Sequence, residues 1–134
     1  MKIDRNKILN KYGKRCGYCG TDIDLKSMQI DHIIPKNYFG FSVSRQIQIP
    51  AFLSHLSSDD VDNTDNLMPA CISCNNWKHS MSLDMFRIEL GQQLKRLRER
   101  SSNYRIALRY GLITENQKPI EFWFEICGST NESS

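Results

Sequence analysis

Hydrophobic positions along the chain fall into short patterned stretches separated by polar runs. Ile3, Ile8, Leu9 and Tyr12 recur among basic residues over positions 2–12, which predicts a short amphipathic helix closed by Gly13. Positions 27–34 place Met28 and Ile30 on one face of a strand. Neighbours in a regular strand point to opposite faces, so Asp31 and His32 can address one point only if the strand ends or bends there. Pro35 fits such an exit, since it holds Ile34 extended and cannot donate to a sheet ladder. Positions 65–70 predict a short returning strand. Positions 74–79 predict a helical turn on which Asn75 and His79 share a face, about 6 Å apart along the axis.

The second half of the chain reads as helix, then strand. Leu83, Phe86, Leu90, Leu94 and Leu97 repeat at spacings of three and four, an amphipathic helix with Ser82 as its cap, Asp84 suited to its dipole and Gly91 weakening its middle. Ser101, Ser102 and Asn103 interrupt it, and a further helical stretch over 104–110 ends at Gly111. The aromatic and β-branched positions 119–127 predict a C-terminal strand, and 128–134 a disordered polar tail. Positions 37–63 resist such patterning. An aromatic patch (Tyr38, Phe39, Gly40, Phe41) leads to Ile47, Ile49, a short helix from Pro50 to Leu56 and an acidic run over 57–63. That run lacks the glycine and closing glutamate of a calcium loop and reads as solvated; His55 reads as a surface or packing residue.

Composition narrows the class. A chain of 134 residues, 40% hydrophobic and 25% charged, makes one domain with a modest core that a bound metal would help to staple. Nothing approaches a membrane span, and the N-terminus lacks the apolar core of a signal peptide, which predicts a cytoplasmic protein with no membrane partner. Net charge is only +3, but it is unevenly placed. Seven basic residues lie between Arg87 and Arg109 against Glu89 and Glu99, and six lie within the first fifteen positions against Asp4. Acidic residues gather at Asp59, Asp60, Asp62 and Asp65. Such polarity suits a face turned to phosphates, with Arg96 and Arg100 as candidate contacts.

The cysteines change the picture most. Cys16-x-x-Cys19 and Cys71-x-x-Cys74 are spaced for one tetrahedral zinc, and glycine after Cys16 and Cys19 admits the positive φ angles of thiolate knuckles. Cytoplasmic thiols in this pattern favour metal over disulfides, and no thioredoxin-like pattern supports a redox role. Cys127 reads as a buried thiol. Closing the zinc brings Asp31, His32, Asn75 and His79 toward one region: a metal site with a base beside it.

These residues resemble the HNH endonucleases. The matching pieces are the two cysteine pairs, Asp31-His32-Ile33-Ile34-Pro35, Asn66-Leu67, and Cys71-x-x-Cys74-Asn75-x-x-Lys78, all within positions 16–79. The resemblance implies an α+β fold: a small zinc-stapled ββα-metal (His-Me finger) core, interrupted by the 37–63 insertion, with flanking helices (a basic helical region over 82–110) and the C-terminal strand. It implies His32 as general base and Asn66 as the asparagine that braces the inter-strand loop. It further implies Asp31 and Asn75 as ligands of a catalytic Mg²⁺ or Mn²⁺, and the four cysteines as ligands of a structural Zn²⁺. His79 stands where some members have a third ligand; ligand, phosphate contact and surface residue all fit it. Lys78 suits a phosphate contact, and Trp77 reads as core packing.

The expected activity is therefore metal-dependent hydrolysis of DNA phosphodiester bonds, with duplex DNA as the partner and 5′-phosphate and 3′-hydroxyl products. A histidine titrates near neutrality and can take a proton from water, and one hard cation can neutralise phosphoryl and leaving oxygens. One evident carboxylate suits one metal ion. The other reading is a zinc-knuckle nucleic-acid-binding module without catalysis, which leaves Asp31, His32 and Asn75 without purpose. Whether two copies pair as a homodimer is not written in the sequence.

Overall fold

The computed structural model describes residues 2–38 and 49–131. Phe39, Gly40 and Phe41 of the aromatic patch, and Ile47 after it, lie outside the described residues. The fold is α+β, built on two antiparallel strands, β1 (Gln29–His32) and β2 (Leu67–Ala70), paired in the register Asp31 to Met68 and His32 to Leu67. β2 is buried along its whole length, which its sequence Leu67-Met68-Pro69-Ala70 allows without a polar side chain to satisfy. Helix α2 (Ile72–Lys78) follows β2 directly and packs on β1.

The N-terminal segment forms α1 (Arg5–Leu9), capped by Asp4, whose carboxylate accepts from the Asn6 and Lys7 amides at 3.1 and 3.3 Å. A 3₁₀ turn (Asn10–Tyr12) extends it to Gly13, which stops it at φ 71°. Ile8 and Leu9 face the core. Two basic residues of this segment are consumed in holding the fold. Arg5 donates to the carbonyls of Leu25 and Met28 at 2.8 and 2.9 Å, and Lys11 to those of Thr64 and Leu67 at 2.7 and 2.8 Å.

Beyond α2 come α3 (Leu83–Gly91), α4 (Gln93–Arg100), α5 (Ser102–Arg109) and α6 (Trp123–Asn131). Ser82 and Ser101 cap α3 and α5 by accepting from the Met85 and Tyr104 amides. The periodic stretch from Leu83 to Leu97 is thus two helices, not one, breaking at Gln92 immediately after Gly91, where the backbone cost of glycine weakens a continuous run. Leu83 and Phe86 reach the core, whereas α4 and α5 bury no residue.

The C-terminal strand expected over 119–127 is not formed; α6 occupies most of that stretch and continues to Asn131, into the positions read as a disordered tail. Phe122 and Cys127 are buried while Ile126 is exposed, an order that a strand's alternation would not give. The cause is tertiary. The Trp123 amide donates to the Tyr18 carbonyl at 3.0 Å and the Phe124 amide to the Gly17 carbonyl at 2.8 Å, so groups at the helix start that lack helical partners find them in the first cysteine turn. Phe122 stacks on Phe86 with centroids 5.5 Å apart, and Tyr18 meets both rings edge-on at 5.3 Å. Burial in this cluster outweighs the strand propensity of the same side chains.

Candidate metal and active site

Four thiols from two distant turns converge. The sulfurs of Cys16, Cys19, Cys71 and Cys74 lie within 4.8 Å of one another, and Cys19 and Cys71 are 3.8 Å apart. A zinc ion with sulfur ligands at about 2.3 Å needs sulfur–sulfur edges of about 3.8 Å, so the cluster could hold a metal such as zinc. The Cys16 amide donates to the Thr21 carbonyl at 2.8 Å and the Gly20 amide to the Cys16 carbonyl at 2.9 Å, closing the first turn. Gly20 has the positive φ expected of it, 81°, with Trp123 covering it. Gly17 does not share that conformation. Its role is space: a Cβ there would meet Met68 Sδ at 2.1 Å, and its amide bonds the Pro69 carbonyl at 2.7 Å. In the second turn the Cys71 sulfur accepts from the Cys74 amide at 3.3 Å and caps α2. Within the cluster, the hydrogen bond with Cys74 lowers the Cys16 thiol to about 4, while Cys74 is pushed far up, chiefly by the same bond.

Asp31, His32, Asn75 and His79 line one cavity of about 420 Å³, together with Ile30, Pro35, Lys36, Asn76 and Ser80. β1 presents the first two side chains in opposite senses, as a regular strand must. Asp31 turns inward, where Oδ2 accepts from the Tyr18 hydroxyl at 2.5 Å and pairs with Lys78 Nζ at 3.0 Å. His32 turns the other way, its Nε2 lying 2.8 Å from Asp62 Oδ1. β1 ends at His32, and Asn66 holds the exit. Its Oδ1 accepts from the Ile34 amide at 2.8 Å, and its Nδ2 donates to the carbonyls of Ile34 at 3.2 Å and Val61 at 3.0 Å. Asn75 is half-buried in α2. His79 ends α2 with φ 50°, is exposed, and its Nδ1 lies 3.2 Å from the Ser80 hydroxyl.

Several expected contacts are corrected. Lys78 does not face phosphate. Its side chain is 0% exposed, and Nζ also donates to the His32 carbonyl at 3.0 Å, because the end of β1 offers the Asp31 carboxylate and the His32 carbonyl side by side to α2. Trp77 is not in the core; half of it is exposed. Arg96 is held bidentately by Glu89, at 2.7 and 3.1 Å, and Arg87 and Arg98 pair with Glu125 and Glu115, so much of the basic stretch is already neutralised within the chain. Arg100 remains exposed on α4. Nor is the acidic loop merely solvated, since Asp62 reaches His32 and Asp65 lies 2.9 Å from His55.

Three partners were missed by sequence reasoning: Tyr18 and Lys78 on Asp31, and Asp62 on His32. Tyr18 sits between Cys16 and Cys19, so the first cysteine turn directly supports the carboxylate. Burial raises the Asp31 carboxyl, opposed by Lys78 and Tyr18, while burial lowers Lys78, opposed by Asp31. Burial, then Asp31, pushes Tyr18 well above its ordinary range, keeping its proton available for the bond.

Carboxylate, amide and imidazole are donor types suited to hard or borderline divalent ions. Here the Asp31 carboxylate is already paired with Lys78, which offsets its charge. Compared with known proteins, the chain matches no family model, no curated protein and no solved structure. Among the described residues no helix is long and apolar enough to cross a membrane.

Proposed function

We propose that the chain is a metal-dependent endonuclease of the HNH type, with β1, β2 and α2 as its ββα-metal element and the four cysteines as ligands of a structural zinc. The observation that carries this reading is the cavity at the end of β1, lined by His32, Asp31 and Asn75, the last of which directly follows Cys74 of the thiol cluster in α2. Asp31 and Asn75 would hold a catalytic Mg²⁺ or Mn²⁺, with His79 as a further donor at the rim. Bound there, the ion supplies neutralisation of charge on the phosphate being cleaved. His32 takes the proton from the attacking water, Lys78 and Tyr18 hold Asp31 in place, and Asn66 fixes the turn that follows His32. Duplex DNA is the proposed substrate.

Single-turnover cleavage of a DNA duplex, with Mg²⁺ or Mn²⁺ and a chelator control, tests the reading. His32→Ala is expected to slow cleavage by roughly two to four orders of magnitude, as for a lost general base. Asp31→Ala and Asn75→Ala are expected to regain part of their loss in excess Mn²⁺, and His32→Ala is not. A parent protein that cuts no duplex with either metal overturns the assignment. The zinc-knuckle binding module is then the better reading, and the ion pair that offsets the Asp31 charge favours it.

A further inference from the structure

Asp62 belongs to the 37–63 insertion, yet its carboxylate ends 2.8 Å from His32 Nε2. A surface ion pair formed by chance would join two independently mobile segments. Here one buried side chain ties them together: Asn66 bonds the Ile34 backbone two residues after His32 and the Val61 carbonyl one residue before Asp62. The loop is also closed on its other side, where the Ser57 amide donates to Asp60 Oδ2 at 2.8 Å and the Asn63 amide to the Asp60 carbonyl at 3.0 Å. The spacing of His32 and Asp62 is therefore set by backbone that neither residue controls.

A carboxylate is an acceptor only, so the ring nitrogen facing it must be the one that carries hydrogen. We propose that Asp62 is a positioning residue for His32, fixing the ring's orientation and keeping its hydrogen on Nε2, so that Nδ1 is the proton acceptor. The proposal rests on the endonuclease reading. When Nδ1 takes a proton from water, both ring nitrogens bear hydrogen and the ring's new positive charge lies against the Asp62 carboxylate. The departing hydroxide is left to attack phosphorus. The insertion thereby completes the base instead of only decorating the fold.

The test pairs a spectroscopic readout with a kinetic one, on the full chain. Two-bond ¹H–¹⁵N spectra of the imidazoles, with His32 assigned by its loss in His32→Ala, are recorded for the parent, Asp62→Ala, Asp62→Asn, Asp62→Glu and, as a control in the same acidic run, Asp59→Asn. The parent and Asp59→Asn are expected to show the Nε2–H form alone. Asp62→Ala and the isosteric Asp62→Asn are expected to show mixed or inverted forms, and Asp62→Glu to restore the parent pattern. In single-turnover cleavage the first two should lose roughly ten- to hundredfold in rate at saturating duplex, the range for residues that orient a reacting group through another. Their half-saturating duplex concentration should stay near the parent's. An unchanged His32 signature in Asp62→Ala, or unchanged cleavage, overturns the proposal, as does an equal effect from Asp59→Asn. If the parent itself cuts no duplex, the endonuclease reading fails, and the spectra alone decide whether Asp62 sets the ring.

Discussion

Lys78 Nζ lies 3.0 Å from Asp31 Oδ2 in the interior, with the lysine side chain wholly out of solvent and the aspartate 5% exposed. The pair joins β1 to α2, and removing one member leaves the other charged and buried. Lys78→Met is therefore expected to destabilise the protein by about 3–5 kcal/mol, and Lys78→Met with Asp31→Asn by clearly less. Urea unfolding of the parent, both single variants and the double variant measures the difference. Equal losses for Lys78→Met and the double variant would remove the pair's structural role.

Metal content gives a second expectation. Purified protein should carry about one zinc per chain, and Cys71→Ser should lose the ion and the cooperative unfolding transition together. Elemental analysis and circular dichroism on the same samples decide it; a cooperatively folded, zinc-free parent contradicts it.

Asn66→Ala leaves the buried Ile34 amide without its acceptor and frees the Ile34 and Val61 carbonyls. A stability loss on the order of 2–4 kcal/mol is expected, with duplex cleavage falling at temperatures where the variant remains folded. Thermal unfolding beside single-turnover rates separates the two effects.

On the basic helices, the Glu89 clamp distinguishes two arginines. If α4 contacts DNA phosphates, Arg100→Ala should weaken binding to unrelated sequences alike and reduce the salt slope by about one. Arg96→Ala should do less, because Glu89 already offsets its charge. Fluorescence anisotropy across a salt series reads both slopes.

The His32–Asp62 contact also has a pH signature. The hydrogen bond with His32 holds the Asp62 carboxyl below its ordinary value of 3.8, against a smaller opposing effect of burial and with help from the charges of His32 and Lys36. A depressed folded value means the folded state binds fewer protons. The stabilisation is therefore present above pH 3.8 and lost as pH falls through the depressed value. The gap in urea midpoint between the parent and Asp62→Asn should be widest near about pH 5 and close on acidification. A gap that widens toward acid would reverse the sign.

Much of this arrangement was legible because its signals are local. Paired cysteines, an Asp-His before a proline and an apolar strand each fix their own neighbourhood, and β1, β2, α2 and the thiol cluster follow. What escaped depends on partners distant in sequence. Nothing within positions 119–127 says that the Gly17 and Tyr18 carbonyls await helix amides, so aromatic content alone argued for a strand. Lys78 resembles any surface lysine until the end of β1 supplies its carboxylate and carbonyl. Asp62 was one of several acidic residues in a polar run, and only the Asn66 bond to Val61 singles it out.

The helix that caps the first cysteine turn bears on the order in which the chain assembles. The contact from Trp123 to Tyr18 closes a loop of about a hundred residues, a slow step on entropic grounds. A metal joining Cys19 to Cys71, 52 residues apart, would shorten that search by bringing the early turn beside the chain's middle before α6 arrives. Ion capture is then expected to precede docking of α6, and refolding without metal should leave Phe122 and its aromatic partners exposed and prone to association. Stopped-flow fluorescence of Trp123, whose ring covers Gly20, reports the docking step once Trp77, the chain's other tryptophan, is replaced (Trp77→Phe). Its rate should rise when zinc is supplied before dilution from denaturant, and an unchanged rate would separate metal capture from closure.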